Sequence, residues 1–272
     1  MTTGTKEQRF VIRQTPAEPA QTEFFQPITL QYEIVNVGID TVFLESLTLQ
    51  LSPDIDTAAN YIDRPCACRL VPKGSMIVAV TVTPTPMYQE NTNQIKIRCN
   101  YRLEAEARIG EPLNETHAGF YLIIATPAPT LGNIFISFKQ PEDQRLANIL
   151  ERYAKRAGFA VYLLVRMPNV GADQWQTIEA LIKESHSVFF IWARRTDWGD
   201  GVEREVVLCR RHKVREILLI ENGVDVPSAF DETSVMYKRF DPQEPAAALS
   251  EAVSSLRSQI AGLSNPPGTS GT

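Results

Sequence analysis

The spacing of apolar residues changes near residue 126, and this change most constrains what the chain can fold into. Before it, apolar and polar residues alternate in two long runs. The apolar positions of these runs are Ile28, Leu30, Tyr32 and Ile34, then Ile95, Ile97, Cys99, Tyr101 and Leu103. A period of two, with Gly and Pro between the runs, is typical of antiparallel strands. The sequence therefore predicts that residues 1–126 form an all-β domain, an Ig-like antiparallel sandwich.

Two features of this first half allow more than one interpretation. Residues 52–72 form a long connection, for which the sequence permits a short helix or an irregular loop. The cysteines at 66, 68, 99 and 209 show no zinc-finger spacing. They are predicted to be free thiols in a reducing compartment, and the alternative is a bridge from Cys99 to Cys66 or Cys68.

Strands and helices alternate after a stretch rich in proline, ATPAPTLG, in which residues 127–132 are predicted to be a stiff linker. Four short apolar runs, NIFISF, FAVYLLV, SVFFIWA and EILLI, are each followed by a segment with helical spacing. This alternation is the pattern of a parallel sheet covered on both faces. It predicts a C-terminal α/β domain with a flavodoxin-like parallel sheet over residues 133–262. Residues 263–272 are predicted to be a disordered tail.

Ligands of such sheets bind outside the carboxyl ends of the strands, which here means residues 137–140, 166–174 and 193–201. The segment GDGVEREVVLCRRH begins at this edge and is predicted to be helical. It carries Glu203 and Glu205, whose side chains point about 200° apart on a helix. One of the two glutamates can therefore face solvent while the other faces different surroundings.

Three segments of the second half resemble a Toll/interleukin-1 receptor (TIR) domain of the bacterial immune type. IFISFKQPEDQRLANIL is similar to the first strand and helix of that family. Residues 175–185, with the pattern W-x-x-I-x-x-x-I-x-x-S, followed by SVFFIWA, are similar to its second helix and third strand. GVEREV resembles its W-V-x-x-E-[IV] segment, with Glu205 at the glutamate and Gly201 in place of the tryptophan. The resemblance covers roughly residues 132–260 and implies the TIR fold.

The resemblance also implies an activity. Many TIR domains cleave NAD+ at the nicotinamide–ribose bond as glycohydrolases or cyclases, with NAD+ as substrate and no cofactor. Glu205 would be the catalytic residue, because a fixed carboxylate can stabilise the positive charge that develops on the ribose. Ser137 and Phe138 would lie beside the nicotinamide, and loop 166–174 would cover the site. That loop reads RMPNVG, without the family's R-D-x-x-P-G pattern.

Three further residues are candidates for binding the substrate. Arg166 is predicted to contact a phosphate. Trp198 lies in a loop from which it could stack on the nucleobase. Trp175 is a candidate on the apolar face of its helix, where core packing is the alternative.

The resemblance further implies self-association through the TIR domain and activation by assembly, or by a protein or ligand that binds the N-terminal domain. The expected setting is antiviral defence in the cytoplasm. A non-catalytic TIR adaptor is the alternative, which the departures at Gly201 and in loop 166–174 favour. A nucleoside deoxyribosyltransferase, which also uses a glutamate at a ribose, is a third hypothesis.

Composition and spacing argue against several other classes. A net charge of −5 gives no nucleic-acid signature, and no apolar run has the roughly 18 residues that span a bilayer. The histidines at 117, 186 and 212 form no ligand pair, so we expect no metal site. The basic run at 210–213 is predicted to be a solvated helix surface, or alternatively an assembly surface.

Overall fold

The computed structural model describes residues 9–16, 19–51, 60–104, 114–163, 174–193, 200–228, 230 and 236–264. The chain divides into two compact units, Met1–Pro84 with Tyr88–Ala125, and Thr85–Met87 with Thr126–Thr272. Residues 85–87 thus belong to the second unit, although they lie within the sequence range predicted for the first. Among the described residues, no helix is long and apolar enough to cross a membrane.

The first unit contains only strands among its described elements. They are β1 Phe10–Thr15, β2 Ala20–Glu23, β3 Ile28–Asn36, β4 Val42–Leu51, β5 Asn60–Leu70, β6 Ser75–Val82, β7 Asn91–Leu103 and β8 Asn114–Ala125. They form a three-stranded sheet in the order β1-β3-β6 and a five-stranded sheet in the order β2-β8-β7-β4-β5. The prediction of an all-β first domain is confirmed in this form.

The two sheets enclose one apolar core. Alternate residues of β3 and β7 are buried, as their period of two predicts. Aromatic pairs join the sheets: the rings of Phe10 and Tyr101 meet edge-on with centroids 4.9 Å apart, and those of Tyr32 and Phe120 are 5.4 Å apart. Such pairs add to the stability that apolar burial provides. The first unit is therefore a sandwich of two sheets.

The structure corrects the sequence prediction at two places in this sandwich. The short strand β2 pairs with β8 in parallel, so the sandwich is not wholly antiparallel. Residues 60–70, predicted to lie in a helix or loop, form strand β5 at the edge of the five-stranded sheet. An edge strand tolerates charged residues and proline. Asp63, Arg64 and Pro65 therefore interrupt the alternation of apolar and polar residues by which a strand is predicted from the sequence. All four cysteines are free thiols.

The second unit alternates strands with helices. Its elements are β9 Asn133–Ser137, α1 Gln144–Arg156, β10 Ala160–Leu163, α2 Gln174–Glu184, β11 Ser187–Trp192, α3 Asp200–Arg211, β12 Arg215–Glu221, β13 Met236–Phe240 and α4 Ala246–Ser264. The five strands are parallel, in the order β10-β9-β11-β12-β13. This 2-1-3-4-5 order is common among doubly wound sheets. The predicted parallel sheet is confirmed.

Apolar helix faces cover this sheet. Ile178 and Ile182 of α2 and Val206 of α3 pack with Phe135 and Phe190 of the sheet in one cluster. Helix α1 contacts β10 and α4, and α4 contacts β13. Strand β13 was not predicted from the sequence, because its half-buried lysine and its exposed arginine leave only Phe240 fully buried. Helix α4 includes residues 263 and 264, which were assigned to the tail; residues 265–272 lie outside the described residues.

Gly158 ends the first helix in the way its position in the sequence indicates. Its φ of +89° lies in the left-handed region, and its N–H donates to the carbonyl of Lys155 at 2.9 Å. The N–H of Leu131, at the end of the predicted linker, donates to the carbonyl of Gly158 at 3.1 Å. A glycine is favoured here because other residues are strained at positive φ.

We expect opposite effects from the same substitution at two glycines of this unit. Gly158→Ala should lower the free energy of unfolding by about 1 kcal/mol, because alanine is strained at positive φ. At Gly262, inside α4, an added Cβ would meet no described atom within 4 Å, so Gly262→Ala should raise it by a few tenths of a kcal/mol. All three tryptophans, at 175, 192 and 198, lie in the second unit, so their fluorescence during urea unfolding reports on that unit. Equal effects of the two substitutions would contradict this account of Gly158.

Candidate functional site

Ser137 and Glu205 meet inside the second unit. Ser137 is the last residue of β9, where it lies beside Phe190 of the neighbouring strand β11. Glu205 lies in the second turn of α3, the helix that follows β11. Both side chains are buried, with Glu205 only 6% exposed. The Ser137 hydroxyl donates a hydrogen bond to Oε2 of Glu205. A carboxylate and a hydroxyl are thus held together at the carboxyl end of the parallel sheet.

The helical spacing of α3 explains why this glutamate is buried. Val202, Glu205, Val206 and Cys209 all lie on the buried face of the helix. Glu203 is exposed, as are the other residues on its side of the helix. The prediction that the two glutamates face different surroundings is confirmed, and Glu205 is the one that faces the interior.

Burial changes the acidity of this carboxyl group. Desolvation raises the pKa of Glu205 from 4.5 to about 7, while the hydrogen bond from Ser137 acts in the opposite direction. Burial favours the neutral form because the charged form loses its hydration, and a donor to the carboxylate favours the charged form. A carboxyl group that titrates near neutral pH can exchange a proton or stabilise a nearby cation under ordinary conditions.

The other predicted substrate-binding residues lie in different surroundings. Phe138 follows Ser137 directly and is buried. Trp175 lies under the guanidinium group of Arg204, whose central carbon is 4.1 Å from the centroid of the tryptophan rings. Such a contact is a cation–π interaction. Arg166 and Trp198 lie outside the described residues, as does loop 166–173.

Trp175 and Arg204 belong to a groove between α2 and α3 with a volume of about 470 Å³. The described residues that line it are Trp175, Glu179, Glu203, Arg204, Val207, Leu208 and Arg211. Ser137 and Glu205 are not among them. The groove and the buried Ser137–Glu205 pair therefore use different faces of α3.

A second cleft of about 310 Å³ lies at the carboxyl edge of the sheet. Its described lining comprises Glu142, Asp143, Arg145, Leu146, Ala193, Glu221 and Pro242. Asp143 and Glu221 were not predicted as site residues from the sequence, although both are buried. A signal exists for Glu221, since an acidic residue that directly ends the apolar run EILLI lies at the edge where ligands bind.

The basic run at 210–213 finds acidic partners within the second unit. Glu179 of α2 accepts a hydrogen bond from His212 at 2.7 Å and one from Arg211 at 3.5 Å. These contacts lower the pKa of Glu179, and the hydrogen bond from His212 contributes the most. Arg210 pairs with Glu216 at 3.2 Å. Within the part of the chain that the structure describes, no group of three or more His, Cys, Asp or Glu residues could hold a metal ion.

No family model matches the chain, and no curated protein matches it. Among solved structures, the CMP N-glycosidase BcmB of Clostridium botulinum is similar over 49% of this chain and 99% of its own, with 13% identity and a TM-score of 0.32. The CARDB domain of the PF1109 protein from Pyrococcus furiosus is similar over 43% of this chain and 94% of its own, with 14% identity and a TM-score of 0.28.

A PapD-like domain of human CEP192 is similar over 46% of this chain and 91% of its own, with 15% identity and a TM-score of 0.25. None of these three structures is described as a TIR domain. Likenesses at such TM-scores carry no argument about function, which must come from the site itself.

The buried charge of Glu205 should cost stability, and Glu205→Gln should remove that cost. The carboxyl group has its raised pKa of about 7 only in the folded state, against 4.5 as the ordinary value. The folded protein therefore holds a proton that the unfolded chain releases, and stability falls as pH rises between these two values. At pH 8 we expect the glutamine variant to be more stable than wild type by about 1–3 kcal/mol.

Urea unfolding followed by tryptophan fluorescence at pH 8 and pH 4.5 measures this difference, which should vanish at the lower pH. The matched control is Glu203→Gln on the exposed face of the same helix, for which we expect a change within about 0.5 kcal/mol. A Glu205→Gln variant that is less stable than wild type at pH 8 would mean that the charged carboxylate supports the fold.

Proposed function

We propose that the second unit is a TIR domain that cleaves NAD+ at the nicotinamide–ribose bond, with Glu205 as the catalytic carboxylate. The observation that carries this proposal is the buried pair of Ser137 and Glu205 at the carboxyl end of the parallel sheet. Parallel sheets of this order bind ligands at that edge. The motif resemblance supplies the substrate, because it places the family's essential glutamate at Glu205.

The chemistry needs a carboxylate more than it needs a strong acid. Nicotinamide leaves NAD+ as a neutral base, taking the electron pair of the C1′–N bond, so it requires no proton to depart. The ribose is left with oxocarbenium character, which a fixed carboxylate stabilises best where water is excluded. Water then adds to C1′ and loses a proton, which gives ADP-ribose. An internal nucleophile in place of water gives a cyclic product.

Ser137 has a positioning role in this proposal. Its hydroxyl donates to one oxygen of Glu205, which fixes the direction of the carboxylate and favours its charged form. The other oxygen, Oε1, is then the acceptor for a ribose hydroxyl. The positive charge of the nicotinamide ring acts in the same direction, because a nearby cation lowers the pKa of a carboxyl group. Substrate binding would thereby help to ionise Glu205.

The β-sandwich unit would control this activity. We propose that it receives a protein or ligand signal, and that self-association of the TIR domain brings the catalytic unit into its active arrangement. In this proposal the protein works in the cytoplasm as an NAD+-depleting effector of antiviral defence. A control unit separate from the catalytic one fits the division of the chain into two compact units.

Replacing Glu205 should abolish NAD+ cleavage, whereas replacing its neighbour Glu203 should not. We expect Glu205→Gln to lower kcat at least about 100-fold, since it removes the charge that stabilises the transition state. Glu203→Gln, two residues away on the exposed face of α3, should retain activity within about twofold. Ser137→Ala should lower kcat by about tenfold, the value of one lost hydrogen bond to a charged group. Mass spectrometry of wild-type and variant reactions, with and without a crowding agent, measures NAD+ loss and identifies the product.

Equal activity of wild type and Glu205→Gln would overturn the proposed role of this residue. Assembly without NAD+ loss in any condition would instead favour the adaptor. The same assay should include CMP and a pair of deoxynucleosides. Release of a base from CMP would indicate a nucleotide N-glycosidase, and exchange of bases between deoxynucleosides would indicate a deoxyribosyltransferase.

The rate should rise with pH through the neutral range, because the charged form of Glu205 is the active one. The pKa of Glu205 in the free protein is about 7. We therefore expect kcat/KM to fall about tenfold for each pH unit below that value and to reach a plateau above it. For kcat, the midpoint should lie at lower pH, since the bound cation lowers the pKa of the carboxyl group. A kcat/KM that falls as pH rises from 6 to 8 would show that the neutral acid is the active form.

A further inference from the structure

The outer edge of strand β6 differs from the other edges of the sandwich. Among the described residues, β6 pairs with β3 on one side and has no strand on the other. It runs for eight residues, with the sequence SMIVAVTV, and contains no charged residue, glycine or proline. A long edge of this composition presents unpaired backbone N–H and C=O groups and high β-propensity, which together favour pairing with another strand.

The three other edges of the two sheets carry features that discourage such pairing. Strand β1 has Arg13 and is followed by Pro16. Strand β2 is only four residues long. Strand β5 contains Asp63, Arg64, Pro65 and Arg69, and a register irregularity interrupts its pairing with β4. Charges, proline, bulges and short length are the devices by which proteins protect sheet edges. Strand β6 has none of them between Ser75 and Val82; the nearest are Lys73 before the strand and Pro84 after it.

The outward face of β6 is uncharged and carries apolar residues at its centre, between Ser75 and Thr81. Ile77 is 65% exposed, and Ala79 beside it is exposed too. The core side of the same strand is filled by Val80 and Val82, which are buried. Ile77 is therefore not required by the core of its own sandwich, and it adjoins the free edge.

We propose that β6 is an interface at which a second copy of this chain binds, with the two β6 strands antiparallel across a two-fold axis. Such a dimer joins the two sheets of β1, β3 and β6 into one sheet of six strands and uses both free edges at once. A two-fold interface brings the same residues together from both copies. An uncharged strand can meet its own copy without the repulsion that like charges cause across a strand pair.

The expected dimer is reversible. Pairing along one edge buries less surface than the roughly 1,600 Å² of a standard stable interface, so we expect a dissociation constant in the micromolar range. This interface lies in the first unit and involves no residue of the Ser137–Glu205 site. Its existence is independent of whether the second unit cleaves NAD+.

A pair of lysine substitutions on the same face of the sheet tests the proposal in the full chain. Ala79→Lys places a charge on the edge strand. Gln31→Lys, the matched control, places the same charge at the residue directly opposite Ala79 on β3, one strand away from the edge. We expect Ala79→Lys to raise the dissociation constant at least about tenfold, because a two-fold interface contains the charge twice. Gln31→Lys should change it less than about twofold.

Sedimentation velocity over a range of concentrations measures the dissociation constant of each variant, and Ile77→Lys serves as a second edge substitution. Hydrogen exchange locates the interface: amides of Ser75–Val82 should become more protected as the wild-type concentration rises, and not in the Ala79→Lys protein.

Dimerisation that both edge substitutions weaken and Gln31→Lys preserves supports the proposal. A wild-type chain that stays monomeric at all concentrations would overturn it. A dimer that Ala79→Lys and Ile77→Lys leave intact, with unchanged exchange in β6, would also overturn it and place self-association elsewhere in the chain.

Discussion

A parallel sheet with helices on both faces has few places for polar side chains, and this constraint governs the second unit. Strands β9, β11 and β12 are almost wholly buried, so their side chains are apolar along most of their length. Polar groups collect where the strands end, as Ser137 does in β9 and Glu221 in β12. The carboxyl edge is therefore both the end of the core and the place where chemistry can occur.

Glu205 illustrates what such a site costs. Its helix could bury an apolar residue at this position at a lower free-energy cost, as it does at Val202 and Val206. Burial of the carboxyl group raises its pKa to about 7, and its hydrogen bond from Ser137 offsets only part of the desolvation. A group that destabilises the fold when charged is the kind of group that functional sites retain. Glu203 lies on the exposed face of the same helix and is the natural control for it.

The proposed catalysis and the proposed strand pairing rest on different units of the chain. The second unit contains the buried carboxylate, and the first contains an edge strand that no other described strand covers. Each feature departs from what stability alone favours, because a buried charge is costly and an open edge invites pairing. The other edges of the sandwich carry charged residues or proline or are short, and Glu203 lies on the exposed face of α3, as is usual for a charged residue.

Local patterns determined much of the fold from the sequence alone. The change from a period of two to alternating strands and helices predicts the β and α/β parts, Gly158 predicts the end of α1, and helical spacing separates Glu203 from Glu205. These features depend on neighbours along the chain. The pairing of Ser137 with Glu205, 68 residues apart, required the tertiary structure to bring β9 and α3 together, although the family resemblance names both residues. The tertiary structure also determined strands β5 and β13 and the parallel pairing of β2 with β8. Edge strands are held by hydrogen bonds to a distant part of the chain, and their own side chains need not alternate.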